Sequence, residues 1–230
     1  MSSDRDRLGA ALGAAGVLGN LVGVAALGGV EGAYKPSGLV AWSASALAHP
    51  GASVASAVAF TVGLLALAGW ALALGRRLRG SVAPMATGAM VVGATVNAAG
   101  TLAPAVLVLH VAPACASARE ACTPVARALL GLTLSLDALF NLCFGAGMAL
   151  AGLCLWRAGR RPVLGGLGVA AGLATIPVAG QVAWQGAAAW LAVAGPLWLA
   201  FVTATSALLW RGITYREPVQ EELHGVARAG

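Results

Sequence analysis

The stretch SLDALFNLCFGAGMALAGLCLWRAGRR, residues 135–161, places one carboxylate near the head of a long apolar run and three arginines just past its foot. It reads as a membrane-spanning helix, because Trp156 followed by Arg157, Arg160 and Arg161 has the form of an exit from lipid into cytoplasm. At about 1.5 Å per residue, Asp137 stands roughly 28 Å above Trp156, close to the far edge of a hydrocarbon core about 30 Å thick. Asp137 and Asn141 are four residues apart and share one helix face.

Composition extends this reading to the whole chain. Of 230 residues, 59% are hydrophobic and 10% charged, against about 25% charged in a soluble domain. A net charge of +6 would point to nucleic acid in a soluble protein. Here the arginines fall at the ends of apolar runs, the pattern of topology signals, and no nucleic-acid partner is expected. The glycine- and arginine-rich usage, with Lys35 as the single lysine, fits a GC-rich bacterial genome, so the expected location is a bacterial plasma membrane. The N-terminal MSSDRDRLGA leads into an apolar run too long for a signal-peptide core, which reads as the first span.

The expected fold is all-α: a single domain of six transmembrane helices over about 8–30, 52–74, 82–109, 126–156, 162–180 and 190–210, with a cytoplasmic tail at 211–230. Arginine and lysine counts put eleven on the cytoplasmic side and three (Lys35, Arg119, Arg127) outside, so both termini face the cytoplasm. Residues 31–51 are too polar to span. Pro36 and Ser37 can start a short helix, Leu39, Trp42 and Ala46 recur at helical spacing, and Pro50 ends it, which predicts an amphipathic segment flat on the outer surface.

Within the spans, Gly9, Gly13, Gly16, Gly19 and Gly23 form a face for close helix contact, as do Gly168 and Gly172 in span five. Asn20 is expected to make an interhelical hydrogen bond. Pro104 should kink span three near Gly100 and free backbone carbonyls beside Asn97. Gln181, Trp184 and Gln185 read as a short outer turn between spans five and six. In the outer loop, Cys115 and Cys122 are expected to pair as a disulfide. Cys143 and Cys154, eleven residues apart on span four, are too far apart to bond and read as buried thiols.

The usual catalytic constellations are missing. There are three histidines, no HExxH, no CxxC and no phosphate-binding loop, so no catalytic residue, metal or cofactor is expected. Glu31, His49, His110 and Asp137 are ligand types for a metal, but they are scattered too widely to form a recognisable set. One cluster remains: Asp137, Asn141 and Asn97 at similar depth, with His110, His49, Glu31 and Arg127 toward the outer rim. Asp137, Asn141, Asn97 and His110 are the expected ligand-binding residues, since an intramembrane carboxylate must face the bundle interior or a wet cavity. The structural alternative, in which Asp137 only fixes helix register, stays open. A carboxylate in a partly dry pocket without a cation also makes proton-linked binding conceivable.

The span ending in CLWRAGRRPVLGGLGVAAGLATIPVAG, an aspartate-bearing fourth span, an arginine turn and a glycine-rich fifth span together resemble an uncharacterised bacterial family of six-span membrane proteins, of the domain of unknown function 4386 type. The resemblance lies mainly between Leu132 and Gly180. It implies the six-helix fold and carries no activity. Three functional readings follow from the sequence: a non-enzymatic protein binding, sensing or passing a small molecule or lipid headgroup in an outward-facing polar pocket; a membrane enzyme acting on a lipid with Asp137 and a histidine as acid and base; and an accessory subunit. The expected partners are the bilayer, a small molecule or lipid, and a second copy or another membrane protein on the glycine faces.

Overall fold

The computed structural model describes residues 2–26, 48–111, 119–159, 161–183 and 185–211, and no strand occurs among them. The α-helices are α1 (Ser2–Ala26), α2 (Pro50–Gly75), α3 (Ala83–Gly100), α4 (Ala103–Val106), α5 (Arg119–Arg157), α6 (Pro162–Thr175) and α7 (Leu191–Trp210). A π-helical turn over Leu107–Val111 follows α4, and 3₁₀ helices over Ile176–Val182 and Gln185–Trp190 join α6 to α7. Six segments are long and apolar enough to cross a membrane: Asp4–Ala26, Pro50–Gly75, Ala83–Val111, Pro124–Arg157, Pro162–Gln181 and Leu191–Trp210. The chain is a six-helix polytopic membrane protein. Most of the expected surface segment, Cys115 and the tail beyond Arg211 lie outside the described residues, and of Cys122 only the helical backbone is described.

The spans close into a ring in chain order. α1 packs on α2, α2 on α3, α3 on α5, α5 on α6, α6 on α7, and α7 returns to α1. Small residues make the closest approaches. A Cβ on Gly19 would come within 2.7 Å of the Gly63 Cα on α2, and one on Gly172 within 2.3 Å of the Gly145 carbonyl oxygen on α5. Neither position could carry a side chain unless the helices moved apart, which is how glycine brings backbones together in lipid. The α1 glycines thus meet α2 and α7 of the same chain, and Gly168 and Gly172 meet α5 and α7. Asn20 departs from expectation: its amide donates to Gly16 O at 2.8 Å within its own helix, a bond to the i−4 carbonyl that every helical residue has within reach.

The middle of the ring is filled by one aromatic from each of three alternate spans. Trp70, Phe144 and Phe201 are fully buried, with Trp70 stacked on Phe144 at 6.3 Å and edge-on to Phe201 at 6.2 Å between centroids. Outward faces are apolar: Val58, Val62, Leu65 and Leu72 on α2, and Leu139 and Leu142 on α5, are exposed. Exposed aliphatics around buried polar groups suit a hydrocarbon solvent.

The helix ends bearing Arg5, Arg7, Arg77 and Arg211 are tied together. Arg77 pairs with Asp6 through two hydrogen bonds, Nε donating to Oδ1 at 3.1 Å and a terminal guanidinium nitrogen donating to Oδ2. Asp6 is buried, and the Arg7 guanidinium lies 6.0 Å from the centre of a Trp210 ring. At the opposite end, α3 stops at Gly100, as the missing amide of Pro104 requires. The Gly100 carbonyl freed there accepts the Thr133 hydroxyl of α5 at 3.2 Å.

Candidate functional site

The antiparallel register of α3 and α5 positions the site. A Cβ on Gly147 would meet Met90, one on Gly93 would meet Phe144, and one on Gly100 would meet Leu136. Continued between the last two contacts, this register sets Asn97 opposite Asp137. The Asn97 Nδ2 donates to Asp137 Oδ1 at 3.0 Å. One turn along α5, Asn141 Nδ2 donates to Asp137 Oδ2 at 3.0 Å and also to the Asp137 backbone oxygen at 2.8 Å. The third donor is Gln181 Nε2, which reaches Oδ2 from the 3₁₀ helix after α6.

Three spans therefore present amides to one carboxylate. Asn97 and Asn141 are buried, and Gln181 is completely so. Their N–H groups take over the solvation that water would give an ionised carboxylate, without which a charge at this depth is costly. Every partner described for Asp137 is neutral. Arg127 is exposed, ten residues and about 15 Å of helical rise away, and does not pair with it. The second polar atoms of two of these amides, Asn97 Oδ1 and Gln181 Oε1, are buried without a hydrogen-bond partner.

Of the residues expected from sequence, the structure joins Asp137, Asn141 and Asn97 and leaves His110 out. His110 lies exposed in the π-helical turn, thirteen residues beyond Asn97 or about 20 Å of helical rise. His49, just before α2, is exposed as well. Neither histidine stands beside the carboxylate as a proton-transfer partner. Among the described residues there is no group of three or more His, Cys, Asp and Glu side chains able to hold a metal. Cys143 and Cys154 are free thiols.

Gln181 is the residue sequence reading missed. It was expected in the turn after span five, but the helix past Ile176 tightens to 3₁₀ geometry and continues through Val182, which carries Gln181 into the bundle. The signal was length: Pro162–Gln181 is a 20-residue apolar segment, and about 20 residues are needed to cross. No protein-family model, curated protein or solved structure matches the chain.

Proposed function

We propose that this chain is a non-enzymatic protein of a bacterial plasma membrane, with both termini in the cytoplasm, that binds a small polar molecule or headgroup in the outer half of the bilayer at Asp137, Asn97, Asn141 and Gln181. The arginine-bearing ends support this orientation, since basic residues concentrate on the cytoplasmic side. The resemblance to the six-span domain of unknown function 4386 type accords with the architecture and adds no activity.

One observation carries the reading: a carboxylate within a span is met by amides from three helical segments and, among the described residues, by no cation. Helix glue needs one donor across one interface. Here two of the amides keep a buried oxygen unspent, and such an atom costs free energy until a donor pairs with it. Neither described histidine, His49 or His110, belongs to the cluster, which disfavours acid–base catalysis, and the glycine faces of α1 and α6 are consumed within the chain, which removes the feature on which an accessory-subunit role rested.

The test is thermal unfolding of the purified full chain in nanodiscs against a panel of small cationic, neutral and anionic solutes. At least one chemical class should raise the midpoint of the wild type and leave Asp137→Asn unmoved. A panel in which no class acts through Asp137 would refute a binding role.

A further inference from the structure

We infer that the group bound at Asp137 is a primary ammonium, held by the free lone pair of Asp137 Oδ1 together with Asn97 Oδ1 and Gln181 Oε1. The inference rests on the binding role proposed above and specifies its ligand.

The hydrogen-bond inventory carries it. An ionised carboxylate offers about four acceptor positions. Asp137 spends one on Oδ1, to Asn97, and two on Oδ2, to Asn141 and Gln181. One position on Oδ1 is left. Asn97 and Gln181 are each more than nine-tenths buried, and each has turned its nitrogen to the aspartate, so the oxygen of the same amide is the atom without a partner. Covalent geometry keeps the two oxygens of an amide-to-carboxylate pair close, so both spare oxygens lie within about 5 Å of the carboxylate. The Asn97 oxygen also lies at the break after α3, 3.6 Å from where a Cβ on Gly100 would stand.

The two atoms left with no partner at all are both acceptors, and with the spare position on Oδ1 they make three, beside one unspent N–H on each of the Asn97 and Gln181 nitrogens. A ligand presenting only lone pairs would leave the buried Asn97 and Gln181 oxygens unpaired, and an anion would also be repelled by the carboxylate. A primary ammonium has three N–H donors, no acceptor, and a charge that balances one carboxylate. A divalent ion would leave net positive charge in a low-dielectric site holding a single acid, which is unfavourable. Asp137 lies about 30 Å along α5 from Arg157, the depth at which either a free amine from outside or the amino headgroup of a lipid could reach it.

The experiment measures thermal unfolding of the full chain in phosphatidylcholine nanodiscs with methylammonium, tetramethylammonium, sodium and potassium chlorides at matched ionic strength. Methylammonium at a hundredfold excess over its Kd should raise the midpoint by about 5–10 °C, while tetramethylammonium, which has the charge but no N–H, should not. Asp137→Asn should weaken methylammonium binding about 30-fold or more. Since the comparison of salts needs no variant, it stands even if that substitution folds poorly.

Equal shifts from methylammonium and tetramethylammonium, or a shift from sodium or potassium alone, would overturn the ammonium assignment. So would Asp137-dependent binding of a neutral or anionic solute with none of methylammonium, an outcome that leaves the broader binding role standing. Repeating the titration in phosphatidylethanolamine nanodiscs separates the two sources. Loss of the methylammonium shift there supports a site filled by the lipid's own ammonium, and its persistence supports a free amine.

Discussion

Replacing Asp137 by alanine and by asparagine separates the hydrogen bonds of the site from its charge. In Asp137→Ala, Asn97 Nδ2 and Gln181 Nε2 lose the only acceptor described for them, whereas Asn141 Nδ2 keeps the backbone oxygen of residue 137 at 2.8 Å. Two interhelical hydrogen bonds disappear outright. Such bonds contribute about 0.6–2 kcal/mol each in membrane bundles, so the loss should be about 1–4 kcal/mol. For a chain of this size that corresponds to roughly 2–16 °C in the unfolding midpoint. Asp137→Asn keeps the shape and one acceptor oxygen, and its new N–H groups can meet the oxygens that Asn97 and Gln181 leave unpartnered. Its cost should stay below about 1 kcal/mol. Thermal unfolding of both variants in the same detergent, without added solute, is the assay. An alanine variant as stable as wild type, or an asparagine variant as damaged as the alanine one, would refute the hydrogen-bond account.

Breaking the clamp by Arg77→Ala should destabilise by about 1–3 kcal/mol, because buried Asp6 then loses both of its described donors; a double-mutant cycle with Asp6→Asn should show coupling, and additive losses would count against the pair. Gly19→Ala should force α1 away from α2 and lower the unfolding midpoint, whereas Gly88→Ala, where an added Cβ has nothing within 4 Å, should be neutral; equal effects in the two variants would remove glycine packing as the cause. A periplasm-active reporter fused after Arg77 should be silent and one fused after His110 active, the reverse pattern overturning the proposed orientation.

The architecture was legible because it depends on features a sequence displays one segment at a time: apolar runs of bilayer length, arginines at their ends, and a proline that stops α3. The pair Asp137 and Asn141 was legible from its spacing of four, and Asn97 from matching depth. What could not be read were choices made between segments. Asp6 and Arg77 are 71 positions apart, and Asp6 looks from sequence like part of a solvated N-terminus. Gln181 depends on how far span five winds past Pro177, which is decided by packing against α5. Asn20 satisfied its amide on its own helix, a bond always within reach of an i−4 carbonyl. His110 was placed by type, and a histidine at the end of a span meets water as easily as the bundle interior.

The position of the aromatic cluster constrains what a molecule bound at Asp137 can do next. Phe144 lies seven residues toward the arginine-bearing end, about 10 Å below Asp137, and Phe140 between them packs against Phe144 in a tilted pair with ring centroids 5.0 Å apart. Beneath the site, Trp70, Phe144 and Phe201 fill the centre of the ring with no exposure. In this conformation the interior is closed on the arginine side, so a ligand arriving at the carboxylate from the other side is retained or released the way it came. Passage through the bundle would require Trp70 to leave both ring contacts, an edge-on pair at 6.2 Å and a stacked pair at 6.3 Å. Aromatic pairs of this kind contribute about 0.5–1.5 kcal/mol each beyond their burial, and the buried volume of an indole would have to be refilled. Binding and sensing therefore need no conformational change of the core, whereas transport needs the aromatic centre to part. Trp70→Ala distinguishes them: it should leave solute binding at Asp137 intact, and flux into proteoliposomes that appears only in this variant would identify the wild-type chain as a binder whose aromatic centre blocks passage.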